Sequence, residues 1–109
     1  LPRCSYSLGE SGIKWQVTMK TKNAAGETVP FAALPRDREH IEFRSPSGIF
    51  HLRDAEYDEA TGRLTYDQGG ARDRSLLNET GAWAYRGAID RATGESIRSS
   101  WSDRFWVVE

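Results

Sequence analysis

Apolar side chains recur at every second position of this chain, a period that belongs to strands and not to helices. Ile13, Trp15, Val17 and Met19 alternate with Lys14, Gln16, Thr18 and Lys20. Trp83, Tyr85, Gly87 and Ile89 alternate with Ala82, Ala84, Arg86 and Ala88. Between them, His40 to Arg53 (HIEFRSPSGIFHLR) reads as a hairpin about a four-residue turn, Ser45-Pro46-Ser47-Gly48. That register sets Phe43 opposite Phe50, Glu42 opposite His51, Ile41 opposite Leu52 and His40 opposite Arg53. One face is then Ile41, Phe43, Phe50 and Leu52. The other carries His40, Glu42, Arg44, Ile49, His51 and Arg53.

Turn chemistry separates the strands. Asn23-Ala24-Ala25-Gly26 predicts a bulged turn that sets Thr21 opposite Val29 and Met19 opposite Phe31. The strand over Glu27 to Ala33 contains Pro30 and is expected to be an edge or a bulged strand. Asp58 to Gly62 and Asp90 to Gly94 are two Asp-to-Gly turns. The second sets Ile89 opposite Ile97 and Tyr85 opposite Trp101. Residues 71–80 (ARDRSLLNET) are the one candidate for a short helix, or else an ordered loop, with Leu76 and Leu77 closing the core. Phe105 to Val108 is apolar on both faces, as in a central strand or one with a partner outside the chain. Residues 1–12 read as a loose lead-in.

Seven or eight short strands joined by tight turns predict an all-β fold. Local hairpins up to Asp67 favour a small antiparallel up-and-down β-barrel, with a two-sheet β-sandwich as the alternative. At 109 residues the chain is expected to be one domain over 1–109. No apolar run is long enough for a membrane span. A net charge of -1 does not favour nucleic acid. The single cysteine, Cys4, forms no intrachain disulfide. A chain starting at Leu1 reads as processed, and an extracytoplasmic or secreted location is expected.

Candidate chemistry gathers on two sets of residues. Four tryptophans and four tyrosines are many for this length. They predict a large aromatic core, or a platform of Trp83, Tyr85 and Trp101 with Arg86 at its edge. The leading expectation is a non-catalytic binding module. It would hold a small apolar or aromatic ligand, or a protein partner, with a homodimer through Phe105–Val108 as one form. A carbohydrate-binding module uses the same rings. The alternative is a small acid–base enzyme acting on an anionic substrate such as a phosphodiester. His40, Glu42 and His51 would move protons there, and Arg44 and Arg53 would hold the anion. The two histidines and one carboxylate also form a metal-ligand set, but flanking arginines oppose a cation, so neither metal nor cofactor is expected. Phosphate-loop, hydrolase-elbow and zinc-pair motifs are absent from the sequence.

Overall fold

The computed structural model describes residues 3–32, 34, 36–69 and 73–109. Among them every regular element is a strand: β1 (Ser5–Ser7), β2 (Lys14–Thr18), β3 (Lys20–Lys22), β4 (Thr28–Pro30), β5 (Arg38–Arg44), β6 (Phe50–Asp54), β7 (Glu56–Asp58), β8 (Arg63–Asp67), β9 (Gly81–Asp90), β10 (Ser96–Arg98) and β11 (Phe105–Val108). The large sheet runs β1-β11-β9-β5-β6, with β10 also pairing β9. A second sheet is β2-β8-β7, and β3-β4 is a separate hairpin. The fold is all-β and sandwich-like. No sheet among the described residues closes into a barrel, so the meander expected up to Asp67 does not hold. β2 pairs β8 and β5 pairs β9, both across long stretches of chain. After Asp54 the chain leaves the large sheet: Ala55 N–H still donates to Glu39 O, and β7 then pairs β8.

The sheets bury their facing sides. Ile41 and Phe43 of β5, Trp83, Tyr85 and Ile89 of β9, Phe105 and Val107 of β11 and Tyr6 of β1 line the inner side of the large sheet. Trp15, Leu64 and Met19 come from across it. Trp15 is central, with ring centroids of Phe43, Tyr6, Phe105 and Tyr85 at 5.0 to 5.3 Å. Gly87 permits the close approach, since a Cβ there would lie 2.6 Å from Met19 Sδ. Gln68 is fully buried and satisfied. Its Oε1 accepts from Trp15 Nε1 (3.1 Å) and Ile13 N–H (3.3 Å), and its Nε2 donates to Asp73 O (3.1 Å).

Met19 is the corner where the chain changes sheets. Its N–H donates to Gly62 O, and its carbonyl accepts from the Tyr57 hydroxyl at 2.7 Å. That hydroxyl accepts Phe31 N–H at 2.8 Å, so it stands in for the next rung of the β3-β4 ladder. Thr21 faces Val29 and Ile89 faces Ile97, as the turn glycines predict. Gly26 and Gly94 both have positive φ.

One terminal segment departs from the sequence reading, and another takes the loop form that is its second expectation. Ser5–Ser7, placed in the loose lead-in, pairs parallel with β11 and buries Tyr6. Residues 73–80 are turns and bends rather than helix, and their Leu76 and Leu77 are fully buried. Residues 71 and 72 of that candidate helix, and Ala33 of the expected second strand, lie outside the described residues.

Candidate functional site

The hairpin at residues 40–54 closes with a loop one residue shorter than its apolar pattern suggests. Ser45 N–H donates to Ile49 O (2.9 Å), and Ser45 Oγ accepts Ile49 N–H (3.1 Å). Gly48, at φ +84°, closes a three-residue loop of Pro46, Ser47 and Gly48. Pro and Gly there suit a type I turn followed by a glycine bulge. Phe43 therefore faces His51, Glu42 faces Leu52, Ile41 faces Arg53, and His40 faces Asp54. A one-residue slip exchanges the faces of an entire strand. Phe50 and Leu52 go to the outer side and are 47% and 54% exposed, not core. His51 and Arg53 go to the inner side with Ile41 and Phe43.

The expected constellation is thereby divided. His40, Glu42 and Arg44 share the outer face with Arg86, which stands opposite Glu42. His51 lies behind the sheet, its ring 5.6 Å from that of Trp83 and its Nε2 buried without a hydrogen bond. Arg53 is also behind the sheet, with Nε 2.6 Å and Nη2 3.2 Å from the Asp73 carboxylate. Trp83 and Tyr85 are core residues, whereas Trp101 and Arg86 are on the outer face.

Outside, Glu42 is the hub of an ion-pair cluster although only 6% exposed. Arg86 Nε is 2.7 Å from its Oε1, and Arg98 Nε is 3.2 Å from its Oε2. Arg98 Nη1 donates to Asp90 Oδ1 at 2.8 Å. His40 Nε2 stands 3.6 Å from Glu42 and 3.7 Å from Asp90. Burial raises the Asp90 carboxyl, but bonds from Arg98 and Ser96, with the Arg98 and His40 charges, hold it below the usual range.

Trp101 reaches this face because the chain between β10 and β11 bulges. Ser99 and Ser102 each donate N–H to β9, at Gly87 O and Tyr85 O. Their hydroxyls accept the N–H groups of Gly87 (2.9 Å) and Tyr85 (3.0 Å), replacing the carbonyls of a regular strand. Tyr85 thus faces Ser102 and not Trp101. Two guanidinium groups lie over the indole, with Arg86 Cζ at 4.2 Å and Arg44 Cζ at 4.5 Å. Phe50 meets it edge-on at 5.6 Å.

Arg53, Asp73, Tyr66 and Ser75 form a second network, which fastens the loop at 73–77 to β6 and β8. The Asp73 carboxylate also accepts from the Tyr66 hydroxyl and from Ser75 Oγ. Burial and the Asp73 bond push the Tyr66 hydroxyl up to about 12. Burial raises the Asp73 carboxyl, but Arg53 and Tyr66 hold it below its usual value. A lowered carboxyl adds stability above its unfolded value of about 3.9, and that stability is lost as pH falls through the folded value. Asp73→Asn is expected to cost about 1 to 3 kcal/mol at neutral pH. The difference from the parent should shrink as pH falls through the folded value and Asp73 is itself protonated. Urea midpoints along a descending pH series check this, and a loss that stays constant with pH would exclude the carboxylate as its source.

Among the described residues, no three His, Cys, Asp or Glu side chains gather to hold a metal ion, and no helix is long and apolar enough to cross a membrane. Comparison with family models, with curated proteins and with solved structures returns no match.

Proposed function

We propose that the chain is a non-catalytic binding module that receives a protein partner along β6, on the outer face of its large sheet. The observation that carries this reading is the half-exposed pair Phe50 and Leu52 on an edge strand. β6 pairs only β5. Its bonded positions alternate between the pairs Ser45–Ile49 and Glu39–Ala55, so the backbone groups of Phe50, Leu52 and Asp54 point to the open edge. The Leu52 carbonyl is occupied, by Arg53 Nη1 at 3.0 Å.

Other edges carry the usual protection against pairing. β4 contains Pro30, β3 has Lys20 and Lys22, and the short β7 has Glu56 and Asp58. β6 has no proline and no lysine and exposes apolar side chains. An extended partner segment adding here would gain main-chain bonds and cover Phe50 and Leu52.

The other readings find less support. Trp15, Phe43, Tyr85 and Phe105 fill the space an interior ligand would need. A sugar platform calls for coplanar exposed rings, and Phe50 and Trp101 are at 87°. Acid–base chemistry needs His51 beside His40 and Glu42, and the sheet lies between them. Edge pairing through Phe105–Val108 is blocked because β11 already has β1 and β9 on its two sides.

The test places a photo-crosslinking amino acid at position 52, or at position 63 on the second sheet, in cells that make the protein. The expected result is one partner adduct from position 52, none from position 63, and loss of the adduct on Phe50→Glu. Equal adducts from both positions would overturn the proposal. So would a β6-dependent dimer in sedimentation velocity with no other partner, because β6 would then serve self-association.

A further inference from the structure

We propose that the cleft between Arg44 and Arg104 is an oxyanion site, taking a carboxylate or a phosphate group. The cleft has a volume of about 290 Å³ and is lined by Arg44, Ser45, Pro46, Gly48, Ala82 and Arg104. Two of these six side chains are guanidinium groups and none is acidic. Among the described residues, Arg44 and Arg104 have no carboxylate within ion-pair distance. Arg53 and Arg86 each have one, and Arg91 and Arg98 each have two. The lining of the cleft itself is therefore cationic.

The site is also held in shape. Arg44 is half-buried and rests on the Trp101 ring, which limits the conformations it must lose on binding. The cleft wall is fixed where the hairpin tip meets β9: Gly81 has φ +128°, and a Cβ there would lie 2.8 Å from Pro46 Cγ. Gly48 borders open space, with no heavy atom within 4 Å of where a Cβ would stand. The turn's own polar groups are already engaged: Ser45 Oγ accepts Ile49 N–H, Gly48 N–H donates to Ser45 O, and Ser47 Oγ donates to the Glu79 carboxylate at 2.8 Å. The donors left for a ligand are the two guanidinium forks. Their geometry matches carboxylate and phosphate oxygens, and a spherical halide cannot engage both N–H groups of a fork as well. Binding here needs no partner on β6.

The test is a ¹⁵N NMR titration at low ionic strength with inorganic phosphate, with acetate, and with chloride at matched ionic strength. Phosphate or acetate is expected to give saturating shifts at the amides of Arg44, Gly48, Ala82 and Arg104. Arg104→Gln is expected to weaken that binding about tenfold, the cost of one charged hydrogen-bonding group. Arg104 is exposed, so the variant should keep the parent spectrum elsewhere. Arg63→Gln on the second sheet should change nothing. Saturation by phosphate alone assigns a phosphoryl ligand, and equal saturation by acetate assigns a carboxylate. Shifts that do not saturate, that chloride reproduces, or that survive Arg104→Gln would overturn the site.

Discussion

Trp15→Ala is expected to cost about 4 to 5 kcal/mol, a large part of the roughly 5 to 15 kcal/mol that holds a domain folded. The indole is fully buried at the point where the second sheet meets the large one. It touches the rings of Tyr6 on β1, Phe43 on β5, Tyr85 on β9 and Phe105 on β11. No neighbour can collapse into the space without leaving its own strand, so most of the cavity should persist. The lost indole N–H adds a second penalty, because Gln68 Oε1 keeps only the 3.3 Å bond from Ile13. Trp15→Phe separates the two effects. It keeps a ring and removes the N–H, and is expected to cost about 1 to 2 kcal/mol more than the ring-volume loss alone. Urea unfolding followed by circular dichroism measures both variants. A Trp15→Ala unfolding free energy within about 1 kcal/mol of the parent's would mean that the sheets are joined elsewhere.

The strands whose registers depend on a single glycine were legible in the sequence. Gly26 and Gly94 can each close only one turn that matches apolar with apolar, and Thr21–Val29 and Ile89–Ile97 form accordingly. The hairpin at Ser45 was not legible by that logic. A four-residue turn would have gathered Ile41, Phe43, Phe50 and Leu52 on one face, the more economical arrangement for burial alone. The observed register depends on the Ser45 hydroxyl, which bonds Ile49 N–H, and on Asp73, which receives Arg53 from a distant loop. Neither contact leaves a mark on hydrophobic periodicity. The same limit explains the barrel expectation. Alternation says which side of a strand is buried, but β2 finding β8 and β5 finding β9 are tertiary choices. Of the candidate site, His40, Glu42, Arg44, Arg86 and Trp101 do share a face. Their association with exposed Phe50 and Leu52, and not with His51 and Arg53, follows from the one-residue slip.

Glu42→Ala is expected to cost about 2 to 4 kcal/mol, although the residue sits on the outer side of the sheet. Its carboxylate is the one acceptor shared by Arg86 and Arg98, and it is nearly inaccessible to water. Removing it leaves Arg98 with Asp90 but leaves Arg86 with no anion. Arg86 is three-quarters buried, so its charge is only partly rescued by solvent, and the loss should fall somewhat short of that for a fully interior pair. The sign of the second step is the informative one. Replacing Glu42 and Arg86 together by methionine removes the orphaned cation and fills the space, and is expected to recover most of the stability. The recovery should be larger than the sum of the single substitutions allows, a coupling that a double-mutant cycle in urea reads directly. Simple additivity would assign the cost of Glu42→Ala to lost packing against Leu52 and Arg86, and the cluster would then be a consequence of the sheet's closure and not one of its causes.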